Sequence, residues 1–499
     1  MMYVSTRGNF PETSAAEAIR LGMVPAGGLF VPAKLPSLPM EEILKLQGKP
    51  YQKIALKLIS LFLPDFSTEE IKDCVDKAYN KTNFAHRSIT PLFKMEDDMY
   101  FMELWHGPTA AFKDIALQMM PHLLSLSLKK AGVEREIAIL VATSGDTGKA
   151  ALEGFKNVPG IKIIVFYPHG GVSRVQELQM TTTDGSNTYV VAVRGNFDDC
   201  QNSVKDIFGD QQFKNVLKGK GFELSSANSI NWGRLLPQIV YYFQAYLNLL
   251  QKQEIIPGQR INFVVPTGNF GNILAAWYAG RIGLPIGKLI CASNENKVLT
   301  DFFRTGIYDR NREFKQTISP SMDILISSNL ERFLFETSNR CAEKTDRFMA
   351  ALKEDGCFEV DAEIKKVMGQ NIEAGFATEE ETLAAIKEVF AIADYLIDPH
   401  TAVGFKVYQD YRAATEDGAK TVICATASPF KFGSSVLRAI RPWDSARNKD
   451  DFVVLQELSK LSGTPIHSGL QDLEHRPVLH RSVCKINEIK DKVSQILAL

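Results

Sequence analysis

The chain has 499 residues, of which 45% are apolar and 23% are charged, and 57 Lys and Arg stand against 58 Asp and Glu. This composition excludes disordered, collagen-like and coiled-coil proteins, and the net charge of −1 gives no general attraction to nucleic acid or to an anionic membrane. No apolar run approaches the roughly 20 residues that span a bilayer, and the start of the chain lacks a secretory pattern. The seven scattered cysteines form no CxxC pair. We therefore expect a cytoplasmic protein of several domains, without a metal site and without a nucleic-acid or membrane partner.

Residues 1–92 are predicted to form a mainly helical N-terminal region. Helical apolar patterns occur at Met40–Leu46 and at Lys53–Leu63. Ser67 is followed by Thr-Glu-Glu, which is typical of a helix start, because a serine caps the first turn and acidic residues favour that end of a helix.

From about residue 135 the pattern changes to short apolar runs separated by helical segments. The runs are polar on neither face, which indicates strands buried on both sides, as in a parallel sheet covered by helices. The predicted strands are Ile137–Val141, Ile161–Phe166, Tyr189–Val193, Ile261–Val265, Lys288–Cys291 and Thr421–Cys424. The helical segments between them include Thr147–Phe155, Asp198–Phe208, Leu235–Leu250 and Ile273–Arg281.

The predicted strands fall into two clusters, so the sequence indicates two α/β domains after the N-terminal region. The smaller domain is expected to comprise residues 93–225 and the larger one residues 226–499. Residues Asn296–Ile397 lack strong strand patterns and carry charged helical ones. We interpret about 296–397 as a helical insert in the larger domain, which is expected to end in a C-terminal helical region.

The first informative loop follows the strand at Ile137–Val141 and reads Ser144-Gly-Asp-Thr-Gly148. Ligands of open α/β sheets bind beyond the carboxyl ends of the strands. Ser144 and Thr147 supply hydroxyl groups, and the unpaired N–H groups of the helix that follows favour an anion such as a carboxylate. A plain turn with a helix cap would use the same residue types.

The second loop, Gly268-Asn-Phe-Gly-Asn272, lies between a buried strand and a helix. Two glycines bracket a tight turn whose backbone N–H groups can converge on one phosphate group. No Lys-Ser/Thr pair follows, so the segment is not a nucleotide P-loop, and its spacing does not match the dinucleotide pattern GxGxxG. Gly-Asn turns are also common between strands and helices. We call residues 268–272 the glycine loop.

Two further features complete a pattern. Thr426 and Ser428 follow the strand Thr421–Cys424, where a hydroxyl group can face a ligand, although a plain turn closed by proline explains them as well. Lys113 stands near the start of a helix among apolar residues, where burial and the helix dipole disfavour its ammonium form. A lysine of lowered pKa is a competent imine-forming nucleophile. Together with the phosphate and carboxylate loops, these are the parts that a pyridoxal-phosphate site needs.

The motifs that carry these features resemble those of the threonine synthases, which are fold-type II pyridoxal-phosphate enzymes. The resemblance extends in order over nearly the whole chain, and the N-terminal region points to the longer branch of that family. It implies two parallel-sheet, three-layer domains of the tryptophan synthase β-like kind. The matching segments are YVSTRG at 3–8, GGLFVP at 27–32, HGPTAAFKD at 106–114, SGDTG at 144–148, VSRVQELQMTT at 172–182, NSINWGRLLPQ at 228–238, GNFGN at 268–272, DPHTAVG at 398–404 and TASPFKF at 426–432.

The resemblance also implies roles for individual residues. Lys113 is expected to bind the cofactor as a Schiff base, and Thr426 to bond the nitrogen of its pyridine ring. Asp146 would lie near the cofactor's phenolic oxygen, where many fold-type II enzymes carry Asn, and Ser428 stands where the family often has His. The cofactor phosphate is expected to be held by Gly268, Asn269, Phe270, Gly271 and Asn272.

For the substrate, the resemblance places Ser144 and Thr147 at its carboxylate. The candidates for binding the departing phosphate are Ser173, Arg174, Gln176, Asn231 and Arg234, although each arginine is equally well explained by an ion pair at the surface or between domains. The implied reaction converts O-phosphohomoserine and water into threonine and phosphate.

Three alternatives remain open: a phospho-lyase that releases 2-oxobutyrate, ammonia and phosphate, a non-catalytic binding protein on the same scaffold, and a nicotinamide-dependent oxidoreductase, which the missing GxGxxG pattern disfavours. We expect a small-molecule substrate and a monomer or homodimer.

Overall fold

The computed structural model describes residues 1–143, 145–441 and 449–499. In this part of the chain, no helix is both long and apolar enough to cross a membrane. The strands, in chain order, are β1 Tyr3–Ser5, β2 Phe30–Pro32, β3 Leu92–Lys94, β4 Met99–Glu103, β5 Glu136–Ala142, β6 Ile161–Pro168, β7 Thr188–Arg194, β8 Phe222–Ser225, β9 Ile261–Pro266, β10 Ile286–Ser293, β11 Ile307–Asp309, β12 Cys357–Glu359, β13 Ile372–Phe376, β14 Thr421–Ala425 and β15 Ser482–Lys485.

The α-helices alternate with most of these strands. In chain order they are α1 Ala15–Leu21, α2 Met40–Leu44, α3 Tyr51–Phe62, α4 Thr68–Ala78, α5 Lys113–Lys130, α6 Asp146–Phe155, α7 Arg174–Thr181, α8 Phe197–Gly209, α9 Gln211–Gly219, α10 Trp232–Gln251, α11 Gly271–Arg281, α12 Val298–Thr305, α13 Leu330–Thr337, α14 Ala342–Glu354, α15 Ala362–Asn371, α16 Glu379–Ala393, α17 Pro399–Thr415, α18 Gly433–Ile440, α19 Asp451–Ser462 and α20 Ile489–Leu497.

Two larger sheets organise the molecule. One has six strands in the order β13-β10-β9-β14-β4-β3, and every pair is parallel except the antiparallel edge pair β4-β3. The other has five strands in the order β15-β7-β6-β5-β8 and is parallel throughout. All six predicted strands are present in these sheets.

Both sheets are covered by helices on their two faces. In β9, Phe263 and Val265 belong to a core shared with α10 and α11, whereas Val264 between them belongs to a core shared with α16 and α17. In β5, Ile139 packs into the first of these cores, and its neighbour Leu140 joins a third core with α8 and α20. Because successive side chains of a strand point to opposite faces, this alternation confirms the predicted three-layer α/β architecture.

The N-terminal region consists of α1 to α4 and a two-stranded sheet in which β1 pairs antiparallel with β2. The predicted helix start at Ser67 is confirmed, since Ser67 and Glu70 form a reciprocal capping box at the beginning of α4. Tyr3 lies in the main core, and its hydroxyl group donates to the carbonyl of Phe62 at 3.0 Å. This region is therefore packed as part of the molecule's largest core.

Three features of the sheets differ from the sequence-based division at residues 93, 226 and 296–397. Strand β4, which we placed in the smaller domain, lies in the six-stranded sheet beside β14. Strand β15, which we placed in the larger domain, pairs with β7 in the five-stranded sheet. Residues 296–397 were interpreted as a helical insert without strong strands, but β13 forms the edge of the six-stranded sheet beside β10. These pairings join segments far apart in sequence, which local patterns do not encode.

Candidate active site

Three strand ends and the start of α5 meet at one place between the two sheets. The backbone N–H of Phe112, just before α5, donates to the carbonyl of Thr426 at 2.8 Å, which joins the lysine segment to the end of β14. The turn Pro320–Met322 contacts both the lysine and the glycine loop. Lys113 Nζ donates to Ser321 Oγ at 3.1 Å, and a Cβ added at Gly268 would lie 2.5 Å from the Ser321 carbonyl oxygen. The predicted Lys113, glycine loop and Thr426 are thus brought together.

Lys113 has the environment that its sequence position predicts. Its side chain is buried, and α5 begins at this residue. Burial lowers the pKa of its ammonium group to about 8, and the neighbouring cations Lys431 and Arg234 act in the same direction, while Asp146 opposes them. A substantial fraction of the amine is therefore neutral near physiological pH and able to act as a nucleophile.

Asp146, at the start of α6, lies between two lysines. Its Oδ2 is 3.5 Å from Lys113 Nζ and its Oδ1 is 2.8 Å from Lys431 Nζ, and Ser321 Oγ donates to Oδ2 at 3.1 Å. Burial alone would raise the pKa of this carboxyl group, but the charges of Lys431 and Lys113 more than offset burial and hold it well below its usual range. Asp146 is therefore an ionised carboxylate inside the protein.

A histidine holds the turn that carries Ser321. The backbone N–H of Ser321 donates to His400 Nε2 at 3.1 Å, so the proton of this imidazole is on Nδ1, which bonds Asp398 Oδ2 at 2.6 Å. The Asp398 side chain also caps α17, because it accepts from the backbone N–H groups of His400 and Thr401. The segment DPHTAVG thus fixes the turn beside the reactive lysine.

The glycine loop presents unpaired donors. Among the described residues, the backbone N–H groups of residues 268–272 find no hydrogen-bond acceptor, and α11 begins at Gly271. Phe270 adopts a left-handed conformation with φ of 60°. Its buried ring packs against Phe303 and Phe333, with ring centroids 5.7 and 5.4 Å apart, which holds this unfavourable backbone in place. Converging N–H groups at a helix start form a site for a phosphate group.

Buried polar atoms without partners lie at the same strand ends. Among the described residues, Asn272 Nδ2 and Ser428 Oγ find no hydrogen-bond partner. Asn272 Oδ1 accepts from the hydroxyl groups of Tyr241 and Tyr242, the latter at 2.6 Å, so its amide nitrogen is oriented by two neighbours. Thr426 is also buried. A buried amine, free loop amides and unpaired donors fit a phosphorylated aldehyde cofactor with a polar ring.

The other predicted loop is built around the start of α6. Its Ser144 lies outside the described residues. Thr143 Oγ1 accepts from the backbone N–H groups of Gly145 at 2.9 Å and Gly148 at 3.0 Å, while Thr147 is half-buried at the first turn. Gly145 has φ of 133° and a Cβ there would lie 2.6 Å from Gln176, so the loop requires glycine at this position.

The candidates for a departing phosphate separate into two groups. Arg234 is buried, and none of the described carboxylates forms an ion pair with it, although its Nη1 donates to the Ala227 carbonyl at 2.6 Å. Gln176 Nε2 donates to Asp146 Oδ1 at 3.2 Å, inside the cluster around Lys113. A buried arginine without a carboxylate is available to an anionic ligand.

The remaining candidates are engaged in local structure. Ser173 caps α7 in a reciprocal capping box. Arg174 has a side chain that is 57% exposed and pairs with Asp450, as the surface alternative predicted. Asn231 accepts from the backbone N–H of Gly233 and donates to the Ile19 carbonyl at 3.0 Å, so its polar atoms cap α10 and bond α1. The side chain of Asn231 is thus engaged in these bonds, and its contact with the substrate stays a prediction.

Sequence reasoning gave no role to Ser321, Lys431 or His400, although all three contact the cluster. Lys431 and His400 stand inside the quoted segments TASPFKF and DPHTAVG. The resemblance therefore included their positions, but the sequence does not show which groups they contact. Ser321 is 208 residues from Lys113 along the chain, and no local pattern marks it. In the described part of the chain, no cluster of His, Cys, Asp and Glu is suited to hold a metal ion.

Comparisons with known proteins agree with this geometry. Family models described as "Threonine synthase N terminus", "Pyridoxal-phosphate dependent enzyme" and "Threonine synthase, C-terminal" match residues 2–79, 84–428 and 401–480. The threonine synthase of Schizosaccharomyces pombe is 38% identical, with 88% of this chain and 89% of that protein covered. The human protein threonine synthase-like 1 is also 38% identical, over 99% of this chain and 68% of that protein.

Solved structures give the same assignment. The pyridoxal-phosphate-bound threonine synthase from Brucella melitensis superposes with a TM-score of 0.88 at 36% identity, covering 100% of both chains. The yeast threonine synthase also gives a TM-score of 0.88, at 31% identity, over 100% of this chain and 99% of that one. Both matches extend over the whole of this chain. The chain belongs to the threonine synthase family of pyridoxal-phosphate-dependent enzymes.

Proposed function

We propose that this protein is a threonine synthase, which converts O-phospho-L-homoserine and water into L-threonine and phosphate. One observation carries the proposal: a single turn, Pro320–Met322, contacts both the buried amine of Lys113 and the glycine loop. A nucleophilic lysine beside a loop of free N–H groups is what a phosphorylated aldehyde cofactor would need, and this supports the proposal. It is supported by the family membership and by the match to threonine synthases over most of the chain.

The cofactor is proposed to be held by residues of this site. Lys113 would bind its aldehyde carbon, the glycine loop its phosphate and Thr426 its ring nitrogen. When bound, pyridoxal phosphate supplies an electron sink for the charge that develops on the substrate carbon atoms. Asp146 would lie near the phenolic oxygen, where Lys431 keeps it ionised. Because Thr426 is a hydroxyl group and not a carboxylate, it would not hold the ring nitrogen protonated.

Lys113 is also proposed to move the protons of the reaction. When it is not bonded to the cofactor, Lys113 Nζ would be a base for the proton on the substrate Cα. With a pKa of about 8, this amine both accepts and returns a proton near neutral pH. Ser321 Oγ lies between Lys113 Nζ and Asp146, at 3.1 Å from each, and orients the amine.

The substrate is proposed to be bound through its two anionic ends. Thr147 and the first turn of α6 would bind the carboxylate, together with Ser144. Arg234 would bind the phosphate that leaves Cγ, since its buried charge has no ion-pair partner among the described carboxylates. Water then adds at Cβ. A small-molecule substrate of this kind needs no macromolecular partner.

We also propose that the enzyme acts in the cytoplasm, in line with its seven free cysteines.

The deciding experiment is product analysis of purified protein incubated with O-phospho-L-homoserine. Equal amounts of threonine and phosphate are expected. Release of 2-oxobutyrate and ammonia without threonine would favour the phospho-lyase instead, and no turnover at all would contradict both.

A further inference from the structure

A second segment of the chain covers the glycine loop on the side away from its N–H groups. Ser327, Ser328 and Asn329 lie between the turn Pro320–Met322 and α13, and we call these three residues the latch. Ser327 Oγ donates to the Gly268 carbonyl at 2.8 Å. Ser328 Oγ donates to the side-chain oxygen of Asn269 at 3.1 Å.

Asn329 makes the central contact of the latch. Its backbone N–H and its Nδ2 both donate to the Asn269 carbonyl, at 3.2 and 2.9 Å. The residue is fully buried, so each of these donors would be costly to leave unpaired. The three latch residues thus donate to three oxygen atoms of the glycine loop, the carbonyl oxygens of Gly268 and Asn269 and the side-chain oxygen of Asn269.

This arrangement fixes which way the loop's peptide groups point. A peptide group carries its C=O and N–H on opposite sides. With the carbonyl groups of Gly268 and Asn269 bonded to the latch, the N–H groups that follow them in the chain face the opposite side. Those N–H groups have no acceptor among the described residues, as a phosphate site requires.

The latch is itself anchored by a buried arginine. Arg332 Nη1 donates to Asn329 Oδ1 at 2.7 Å, and its Nε donates to the carbonyl of Phe30 in β2 at 3.0 Å. Its Nη2 donates to the Ile230 carbonyl at 2.5 Å, just before α10. A single guanidinium group therefore joins the latch to the N-terminal region and to the segment that leads into α10.

We propose that the latch holds the glycine loop in the conformation that binds the cofactor phosphate, and that Arg332 anchors the latch to the N-terminal region. The latch residues and Arg332 are positioning residues, because they act on the cofactor through the loop. Retention of the cofactor then depends on the N-terminal region, although that region lies outside the glycine loop and the lysine segment. The inference rests on the assignment of the cofactor phosphate to this loop.

The test compares two aldehydes that differ only in the phosphate group. Cofactor-free enzyme is titrated with pyridoxal phosphate and, separately, with pyridoxal, and the dissociation constants are measured from absorbance. For Asn329→Ala we expect the dissociation constant of pyridoxal phosphate to rise about tenfold. That of pyridoxal should stay within about twofold, because pyridoxal makes no contact with the loop.

Matched variants separate positioning from general loss of stability. Ser327→Ala should selectively weaken the binding of pyridoxal phosphate. Ser338→Ala removes another buried serine hydroxyl, which is bonded to the Phe335 carbonyl, and should leave that binding unchanged. Arg332→Met should also weaken the binding of pyridoxal phosphate selectively. Its control is Arg340→Met, which should not, since Arg340 also bonds β2, at the Pro32 carbonyl, but does not contact the latch. If Asn329→Ala fails to fold, the double variant Ser327→Ala with Ser328→Ala is titrated with the two aldehydes in its place.

Three results would overturn the inference. They are unchanged affinity for pyridoxal phosphate in the latch variants, an equal loss for both aldehydes, and an equal loss in the control variants. A parent enzyme that binds both aldehydes equally would refute the phosphate assignment of the loop itself. Threonine formation by the parent enzyme is measured separately, so failure of the proposed function remains distinguishable.

Discussion

The glycine loop presents backbone N–H groups, whereas the pocket around Lys113 presents charged side chains. The loop carries no lysine or arginine, and its geometry is set by the latch and by the packing of Phe270. The pocket depends on the balance of Lys113, Lys431 and Asp146. A phosphate held by N–H groups is bound independently of protein titration near neutral pH, whereas proton transfer at Lys113 must depend on it.

The largest effect is expected when the pocket loses its nucleophile. Lys113→Ala should lower kcat for threonine formation by about 10⁴-fold or more, because both covalent attachment and the proton carrier are removed. The amount of threonine formed from O-phosphohomoserine, followed together with phosphate release, measures this loss. Lys149→Met is the control, since Lys149 is a second buried lysine whose ammonium group bonds Glu153 and Thr183 and not the cluster around Lys113. Comparable losses in the two variants would contradict the role of Lys113.

A smaller effect is expected from Lys431→Met, which removes one of the two positive charges beside Asp146. This change leaves Asp146 buried with one cation fewer, and removing one member of a buried ion pair costs about 3–5 kcal/mol of unfolding free energy. Chemical denaturation of the cofactor-free protein measures that loss. The pKa of Lys113 should rise, because the repulsion from Lys431 is gone and Asp146 pairs with Lys113 alone. A variant as stable as the parent protein would show that the pair does not hold the pocket together.

The lowered pKa of Lys113 predicts how stability changes with pH. Its pKa is about 8 in the folded protein and about 10.4 in an unfolded chain. Between these values the unfolded chain binds more protons, so the unfolding free energy of cofactor-free protein rises with pH, by up to about 3 kcal/mol in total. Below pH 8 the cost of burying the charged amine is fully present.

The pH prediction is measured as the difference between the parent protein and Lys113→Met in denaturation experiments at several pH values. The parent protein should gain stability relative to the variant as the pH rises above 8. A difference that stays constant from pH 7 to pH 10.5 would mean that the amine is not buried as the structure has it.

The loop is tested by two glycine substitutions that differ in the space available. A Cβ at Gly268 would lie 2.5 Å from the Ser321 carbonyl oxygen, whereas one at Gly271 would lie 3.4 Å from the nearest atom, Asn329 Nδ2. Gly268→Ala should weaken pyridoxal phosphate binding by about 10- to 100-fold, since an overpacked contact costs about 1–3 kcal/mol. Gly271→Ala should have a much smaller effect. Equal effects would show that the turn at Pro320–Met322 does not define the loop.

The smallest effect is expected outside both regions, at Arg174. Its exposed side chain pairs with Asp450, and exposed pairs contribute about 0–1 kcal/mol. Arg174→Ala should leave KM for O-phosphohomoserine within about twofold, because that energy corresponds to a small factor and the pair lies at the surface. Arg234→Met, in contrast, should raise KM strongly. A large rise in KM for Arg174→Ala would return this residue to the phosphate site.

The sequence predicted the glycine loop better than the charged pocket around Lys113. The glycine loop and the strand before it are contiguous, so residue types at fixed spacing predict their local structure. The burial of Lys113 was predicted for the same reason, since its apolar surroundings belong to its own helix. Ser321 and Lys431 reach Lys113 and Asp146 through tertiary contacts, which depend on how the strands are ordered in the sheets.

Five strands of the two large sheets were not predicted, namely β3, β4, β8, β13 and β15, and two of them show the physical causes. Strand β13, Ile372–Phe376, contains a glycine and is mostly half-buried at a sheet edge, so it lacks the continuous apolar run of a central strand. Strand β15 has only four residues, and it is placed by pairing with β7 almost 300 residues earlier in the chain. The fold class, in contrast, depends on the central strands, which are long and apolar.

The central claim is that Lys113 carries the cofactor at this site. The most direct measurement reduces the holoenzyme with borohydride, digests it and locates the pyridoxyl group by mass spectrometry. The account predicts a single modified peptide, with the group on Lys113, and no modification in Lys113→Ala. Modification of Lys431 or of any other lysine in the parent enzyme, or no modification at all, would contradict it.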